Sequence, residues 1–207
     1  MSDSFKNYSL KKYCEDLSSS APFPGGGGTA ALVGVLAASL GNMVGSLTVG
    51  KKTYADVEDE IKEAMVKCQE IRERFLSLID DDAIAFEPLS KAYGLPKDYP
   101  GRDEIMEEAL KEAASVPVII IESCSDALDV IEIMAEKGSR LAVSDAGCAA
   151  ALIKSTLESA QLNVYINTKY MKDRQVAEDL NDRISLLVRE GSKRSEDIYS
   201  DVLGRIK

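Results

Sequence analysis

The sequence contains no histidine and no tryptophan among its 207 residues, and only 6% of its residues are aromatic. The lack of histidine excludes the Ser-His-Asp triad, the Cys-His pair and most zinc sites, so acid-base chemistry would have to use Asp, Glu, Lys, Tyr or Cys. Positive charge is also scarce, because 25 Lys and Arg stand against 35 Asp and Glu, a net charge of −10. We therefore expect no nucleic-acid partner, since such binding depends on clustered cations that neutralise phosphates.

Cysteine is sparse as well. The four cysteines, Cys14, Cys68, Cys124 and Cys148, lie far apart and form no C-x-x-C pair. No charged segment and cleavage signal of a secreted precursor precede them. We therefore predict reduced thiols in a cytoplasmic protein, packed as small apolar side chains rather than acting as nucleophiles.

The sequence has no sustained strand pattern. Apolar residues recur at spacings of three and four, and the strongest strand candidate, 116–121, lies inside a longer helical pattern. The pattern predicts six helices, over about 9–19, 28–50, 54–92, 103–137, 144–167 and 173–207. Ser9 and Ser144 are the expected N-caps, and Pro117 should kink the fourth helix. No repeat or linker divides the chain, so we predict one all-α domain, a helix bundle, over residues 1–207.

Charge is missing altogether from residues 17–50. The part 29–49 is long enough to cross a bilayer, so a membrane span is one interpretation. However, polar residues interrupt it, half of its apolar residues are only the size of Ala, and the other long segments are charge-rich and amphipathic. We therefore predict no membrane segment, but the central helix of a bundle. Its small residues should pack against the equally small 146–151, giving two central Ala/Gly-rich helices.

The uncharged helix is preceded by four consecutive glycines, Gly25, Gly26, Gly27 and Gly28. They fit a loose dinucleotide-binding pattern, but that fingerprint follows a strand, whereas Ala-Pro-Phe-Pro at 21–24 precedes it here. A phosphate-loop pattern ending at Lys51 lacks the required Ser or Thr and lies at a helix end. Two interpretations remain: helix N–H groups that hold an anion or a polarised carbonyl, or a flexible turn.

Three consecutive acids, Asp80, Asp81 and Asp82, lie in the middle of the third predicted helix. Positions three, four and seven residues from Asp82 are all apolar, whereas those around Asp80 and Asp81 include polar and charged residues. Asp82 should therefore face the core or a cleft, where lost solvation raises its pKa and prepares it as a general acid or base. No metal site is expected, because residues i and i+2 diverge on a helix. The alternative is an Asp held by a structural hydrogen bond.

Two further groups are candidates for substrate binding. Lys51 and Lys52 end the uncharged stretch, with Tyr54 just beyond; they either receive an anionic group or complement the helix dipole. Asn163 and Asn167 lie at i and i+4 on a face of small residues, and they either bind a polar heterocycle or pair with other helices.

Five motifs occur in order along the chain: Pro24-Gly25-Gly26-Gly27-x-x-Ala30-Ala31, Leu47-Thr48-x-Gly50-Lys51-Lys52-x-Tyr54, Asp80-x-Asp82-Ala83-x-Ala85-Phe86, Ser144-Asp145 and Asn163-Val164-x-Ile166-Asn167. Together they resemble the cyclodeaminase/cyclohydrolase family, which includes the C-terminal domain of formiminotransferase-cyclodeaminase and stand-alone methenyltetrahydrofolate cyclohydrolases. The sequence departs from the family pattern at Gly28, where Ser or Ala is common, and at Ser139, where Asn is expected.

The resemblance implies an all-helical homodimer that acts on a one-carbon-substituted tetrahydrofolate with neither metal nor redox cofactor. It implies Asp82 as the catalytic residue. The implied substrate-binding residues are Gly25, Gly26, Gly27, Gly28, Lys51, Lys52, Tyr54, Asp145, Asn163 and Asn167. Because the sequence shows no transferase domain, hydrolysis of 5,10-methenyltetrahydrofolate to 10-formyltetrahydrofolate is favoured. The alternatives are cyclisation of formiminotetrahydrofolate with release of ammonia, and a helical interaction module without enzyme activity.

Overall fold

The computed structural model describes residues 4–207, and these residues contain six α-helices, three short 3-10 helices and no strand. The α-helices are α1 (Leu10–Leu17), α2 (Gly26–Ser46), α3 (Glu58–Tyr93), α4 (Arg102–Lys137), α5 (Val143–Thr168) and α6 (Arg174–Ile206). The 3-10 helices are Phe5–Asn7, Lys52–Val57 and Arg140–Ala142. The prediction of an all-α bundle of six helices is confirmed, and the strand candidate 116–121 is helical.

Side chains cap the starts of two helices, α1 and α6. Ser9 caps α1 by accepting a hydrogen bond from the N–H of Lys12, and Asp173 caps α6 in the same way. The prediction that Ser144 caps α5 is wrong. That helix already begins at Val143, directly after the 3-10 turn, so Ser144 lies inside its first turn.

The predicted bounds of the second helix, 28–50, are wrong by a few residues at each end. The helix begins at Gly26, so part of the glycine run is helical, and it ends at Ser46. Gly50 has a φ of 80°, in the left-handed region that favours glycine, and lies in the turn that follows. The third helix begins later than expected, because Lys52–Val57 forms a 3-10 turn before α3.

The bundle is organised around α2, α4 and α5. Helix α2 packs between α3 and α5, while α4 packs against both α3 and α5, and α6 covers α5. Small residues set these distances: a Cβ at Gly34 would lie 2.8 Å from the ring of Phe75 in α3, and one at Gly147 would lie 2.8 Å from Val202 in α6. The two Ala/Gly-rich helices are central, as predicted. However, Gly34 makes its close contact with α3 and Gly147 with α6, whereas the predicted contact was between the small residues of α2 and those of α5. Helix α4 runs through Pro117 as one helix.

The cysteine prediction is half wrong. Cys68 and Cys124 are buried, and burial raises the pKa of the Cys68 thiol to about 11. Cys14 and Cys148 are exposed. Cys14 lies on the solvent side of α1, a helix that buries only Tyr13, and Cys148 lies on the solvent side of α5. All four thiols are free.

Helix α2 is the one helix of residues 4–207 that is long and apolar enough to span a membrane by length and composition. However, 56% of its apolar window is buried inside the bundle. This burial is what the central helix of a bundle requires, and it leaves one side of α2 uncovered.

Candidate active site

A cavity of about 170 Å³ lies where the start of α2 meets α3, α4 and α5. It is lined by Pro22, Phe23, Gly25, Gly26, Gly27, Asp82, Phe86, Ala113, Pro117, Asn163, Ile166 and Asn167. The cavity therefore unites the glycine run, one acid of α3 and two amides of α5, which are far apart in the sequence. Its walls are mostly apolar, which is typical of ligand sites that orient a molecule with a few polar groups.

The start of α2 is built around the carboxylate of Asp82. The N–H of Gly28 donates a hydrogen bond of 2.8 Å to Oδ2 of Asp82. A Cβ at Gly27 would lie only 2.0 Å from Oδ1, so a side chain there cannot coexist with Asp82 in this position. The glycine run thus binds an anion at the positive end of a helix dipole, which was one of the two interpretations of the sequence. The anion is a side chain of the same protein, Asp82.

Burial raises the pKa of Asp82 to about 6, although the hydrogen bond from Gly28 acts in the opposite direction. A carboxyl group with this pKa is mostly ionised at neutral pH and still accepts a proton readily. This is the property required of a group that takes up and returns a proton during a reaction.

The neighbouring acids point elsewhere, as their helical neighbours predicted. Asp80 accepts hydrogen bonds from the hydroxyl of Ser4 and the N–H of Lys6, and its Oδ2 lies 3.8 Å from Nζ of Lys6. Asp81 is exposed to solvent. Among the three consecutive acids, Asp82 is the one that lines the cavity.

The two amides of α5 line the cavity, and their nitrogens donate hydrogen bonds within the helix. Nδ2 of Asn163 donates to the carbonyl oxygen of Ser159 at 2.9 Å, and Nδ2 of Asn167 donates to the carbonyl oxygen of Asn163 at 2.8 Å. These bonds fix both side chains and leave the amide oxygens available to N–H groups of a ligand. A Cβ at Gly26 would lie 3.0 Å from the Asn163 amide, so the glycine run also allows α2 to approach α5 closely.

The remaining predicted residues lie at the other end of α2. Nζ of Lys51 is 3.4 Å from Oγ of Ser139, and the hydroxyl of Tyr54 accepts a hydrogen bond of 3.0 Å from the N–H of Arg140. Asp145 lies in the first turn of α5, also at this end. Because α2 has 21 residues, this group lies about 30 Å from Asp82. The structure does not bring it together with Asp82 within one chain.

This far end has a larger cavity, of about 600 Å³. Its lining includes three cations, Lys137, Arg140 and Arg205, and one carboxylate, Glu136. The departure from the family pattern at Ser139 is accommodated here. The N–H of Ser139 donates to the hydroxyl of Thr48 at 2.8 Å, so the loop remains tied to the end of α2.

Sequence reasoning missed Tyr13, which is 5% exposed and is the buried residue of α1. Its hydroxyl has no hydrogen-bond partner among the described residues. It lies 3.4 Å from the place where a Cβ of Gly28 would be, and so borders the same helix start that holds Asp82. The amphipathic pattern of α1 was visible in the sequence, but not the element on which α1 packs.

Comparisons with known proteins extend these observations. The formiminotransferase-cyclodeaminase family model matches residues 9–186. The chain is 39% identical to methenyltetrahydrofolate cyclohydrolase of Methylorubrum extorquens, over 97% of this chain and 98% of that protein. It is 30% identical to formimidoyltransferase-cyclodeaminase of Mus musculus over 90% of this chain, but spans only 35% of that longer protein. The fold matches the crystal structure of formiminotetrahydrofolate cyclodeaminase from Thermotoga maritima with a TM-score of 0.82 and 31% identity, over 96% of this chain and 98% of that one.

Proposed function

Because the chain belongs to the formiminotransferase-cyclodeaminase family, we propose that it hydrolyses 5,10-methenyltetrahydrofolate to 10-formyltetrahydrofolate. The observation that carries the proposal is the carboxyl group of Asp82, which lines a small, mostly apolar cavity and has a pKa raised to about 6. The relative from Methylorubrum extorquens, which is named for this reaction, supports it because the two chains match over nearly their whole lengths.

The proposed chemistry needs only water and a group that carries a proton. The bridging carbon of the substrate shares a positive charge with N5 and N10. Ionised Asp82 takes a proton from water as the water oxygen bonds to this carbon, which gives a neutral carbinolamine. Asp82 then returns the proton to N5 as the carbon–N5 bond breaks, and the hydroxyl proton of the intermediate goes to solvent. The formyl group remains on N10, and the carboxylate is restored.

The surroundings of Asp82 suit this role. The hydrogen bond from the N–H of Gly28 holds Oδ2, so the carboxylate is positioned before substrate binds. Its negative charge attracts the cationic bridge of the substrate in an environment where water screens the charge poorly. In this proposal Asn163 and Asn167, which line the cavity and whose nitrogens are engaged within α5, accept N–H groups of the pterin ring with their amide oxygens.

Cyclodeamination is the second candidate, favoured by the fold match with the Thermotoga maritima enzyme. In that reaction N10 of formiminotetrahydrofolate bonds to the formimino carbon, and the carbon–nitrogen bond to the leaving ammonia breaks. Asp82 would take the proton from N10 and deliver it to the departing nitrogen. The same buried carboxyl thus serves both candidates, and the substrate distinguishes them.

In this proposal residues 1–207 act as one helical domain in a cytoplasmic homodimer. The free thiols support the compartment, because reduced cysteines persist there. The dimer is supported by the length of α3, α4 and α6, which have 36, 36 and 33 residues and so span about 50 Å each, more than a bundle of this size needs.

The test is an assay of the purified protein with each substrate. Methenyltetrahydrofolate is supplied at a pH where spontaneous hydrolysis is slow, and formiminotetrahydrofolate is supplied with detection of ammonia. We expect rapid hydrolysis of the first. Turnover of the second only would establish the cyclodeaminase, and a folded protein that turns over neither would favour the interaction module. That module would require no cleft at Asp82, whereas Asp82 lines a cavity.

A further inference from the structure

Helix α1 buries one side chain, Tyr13, and the polar end of that side chain lacks a partner. Tyr13 is 5% exposed, and its hydroxyl makes no hydrogen bond to the residues that the structure describes. A buried hydroxyl without a partner is unfavourable, so such groups bond either to another protein group or to an ordered water. The atoms around this hydroxyl therefore indicate what it binds.

The hydroxyl of Tyr13 borders a small space beside Gly28. The three heavy atoms nearest to the place of a Cβ at Gly28 are all oxygens. They are the carbonyl oxygen of Ile79 at 3.3 Å, the hydroxyl of Tyr13 at 3.4 Å and Oδ2 of Asp82 at 3.7 Å. We call the space between these three oxygens the Gly28 niche. Neither Tyr13 nor Gly28 lines the Asp82 cavity, so the niche lies behind the carboxylate rather than in the path of a substrate.

The hydrogen-bonding groups of the Gly28 niche match those of one water molecule. The hydroxyl of Tyr13 is a donor, whereas the carbonyl oxygen of Ile79 and Oδ2 of Asp82 are acceptors. A water that accepts from the first and donates to the other two makes three hydrogen bonds, the usual number for a buried water. An alkyl group in the same place would leave the Tyr13 hydroxyl without a partner.

We propose that the Gly28 niche binds one ordered water, which connects the hydroxyl of Tyr13 to Oδ2 of Asp82 and makes Tyr13 a positioning residue for this carboxylate. Oδ2 then accepts two hydrogen bonds, one from the N–H of Gly28 at 2.8 Å and one from the water. Hydrogen bonds to an ionised carboxylate favour the charged form, so the water bridge opposes the effect of burial on Asp82. The consequence for turnover rests on the proposed function, whereas the consequence for the carboxyl group does not.

Few other groups could control the ionisation of Asp82. Helix α2 contains no charged residue, and the residues that α4 and α5 contribute to the Asp82 cavity are uncharged. Asp80, on the same helix, is paired with Lys6. The hydroxyl of Thr29 lies near Tyr13, but it donates at 2.7 Å to the backbone carbonyl four residues earlier. Removal of the Tyr13 hydroxyl or of the water should therefore change the pKa of Asp82.

Carbon-13 NMR titration of the Asp82 carboxyl tests the water bridge without a substrate. The signal is identified by its loss in Asp82→Asn. Tyr13→Phe keeps the buried ring and removes the hydroxyl, so the pKa of Asp82 should rise by about one unit from its value of about 6. Gly28→Ala fills the niche with a methyl group and should raise the pKa similarly. Gly28→Ser differs from Gly28→Ala by one oxygen, which replaces the water, and should keep the wild-type pKa.

The double variant shows whether the two changes act through one bridge. Tyr13→Phe/Gly28→Ala should shift the pKa of Asp82 no further than either single change, because both break the same connection. Additive shifts overturn the inference, and so does an unchanged pKa in Tyr13→Phe. A shift in Gly28→Ser as large as that in Gly28→Ala overturns it as well. Tyr199→Phe, which removes an exposed hydroxyl from α6, is the matched control and should leave the pKa unchanged.

Crystal structures give a direct view of the niche. The wild type should show one water within hydrogen-bonding distance of the Tyr13 hydroxyl and Oδ2 of Asp82, and Gly28→Ala should show none. A Tyr13 hydroxyl that bonds to Thr29, with no water beside it, overturns the inference.

The pH profile connects the water bridge to turnover. After correction for the spontaneous reaction, kcat/KM of Tyr13→Phe should be roughly tenfold below the wild-type value at pH 5 and nearly equal to it above pH 8, because one unit of pKa changes the ionised fraction tenfold only at low pH. An equal loss at every pH would mean a purely structural role and would overturn the inference. If the wild-type protein turns over neither folate, the proposed function fails while the NMR titration still decides whether the bridge exists.

Discussion

The N–H of Gly28, in the first turn of α2, donates a hydrogen bond of 2.8 Å to Oδ2 of Asp82, in the middle of α3. Helix starts commonly bind an anion from outside, because their first N–H groups lack partners. Here the helix start binds a side chain of the same protein. The carboxylate is therefore fixed in place before any substrate arrives, while the cavity on its other side remains open to a ligand.

We expect Asp82→Asn to lower kcat by roughly 100-fold or more, because the amide keeps the volume and the acceptor for Gly28 but does not take up a proton. Circular dichroism should show that the variant is folded. Asp81→Asn is the control, since Asp81 is exposed and should lose little activity. Equal losses at both positions would contradict the assignment of Asp82.

The pKa of Asp82, raised to about 6 by burial, predicts the pH profile. If the ionised carboxylate removes the proton from water, kcat/KM should fall as the pH drops below about 6 and level off above it. Measurements must subtract the spontaneous reaction at each pH. The residual activity of Asp82→Asn should lack this inflection, and a wild-type inflection near pH 4 would mean that burial does not control the reacting group.

Gly27→Ala should abolish most activity, because its Cβ would lie 2.0 Å from Oδ1 of Asp82 and would displace the carboxylate. Gly28→Ala should be milder, since its nearest neighbour, the carbonyl oxygen of Ile79, is 3.3 Å away. This difference fits the departure from the family pattern at Gly28, where a small side chain is common. Gly204→Ala, with nothing within 4 Å, is the control and should stabilise α6 by about 0.5 to 1 kcal/mol. Loss of activity in the control would point to a general effect of alanine.

Replacing Lys51 and Lys52 by Gln should raise KM more than it lowers kcat. The resemblance implies that the two lysines bind the anionic substrate, and they lie about 30 Å from Asp82, away from the reacting group. Added salt should raise the KM of the wild-type protein in the same direction, by screening this attraction. A loss of kcat at unchanged KM would place one lysine next to the reacting atoms instead.

The sequence was enough to predict the orientation of Asp82, but not the cavity around it. The facing of Asp82 followed from residues within one helix, because the positions three, four and seven residues away are fixed by helix geometry. The cavity depends on how α2, α3 and α5 pack against each other, which no single helix reveals. The burial of Tyr13 and the exposure of Cys148 are of the same kind, since each depends on which neighbour covers a helix.

The distance between Lys51 and Asp82 could not be predicted from the sequence, for a different reason. Both belong to motifs that accompany each other in the family, which suggested one site. However, α2 is a rigid rod of 21 residues with the glycine run at one end and the lysines near the other. A pattern along one chain does not show how far apart two of its motifs lie in the fold.

The last prediction concerns stability. The pKa of Asp82 is about 6 in the folded protein, whereas the ordinary value for an aspartic acid, which applies in the unfolded chain, is 3.8. The folded state therefore binds more protons than the unfolded state between these pH values, and the free energy of unfolding falls as the pH rises through this window. A shift of this size corresponds to up to about 3 kcal/mol. Asp82→Asn removes the charge that is costly to bury, so it should be more stable than the wild type above pH 6 and similar to it below pH 4.

Urea denaturation at pH 4 and pH 7.5 measures this difference, with Asp81→Asn as the control for an exposed acid. A stability difference that is the same at both pH values would show that the effect comes from packing rather than charge. We expect Asp82→Asn to gain stability and to lose turnover, both because the same carboxylate is removed. This outcome is expected of a buried charged group that serves catalysis rather than folding.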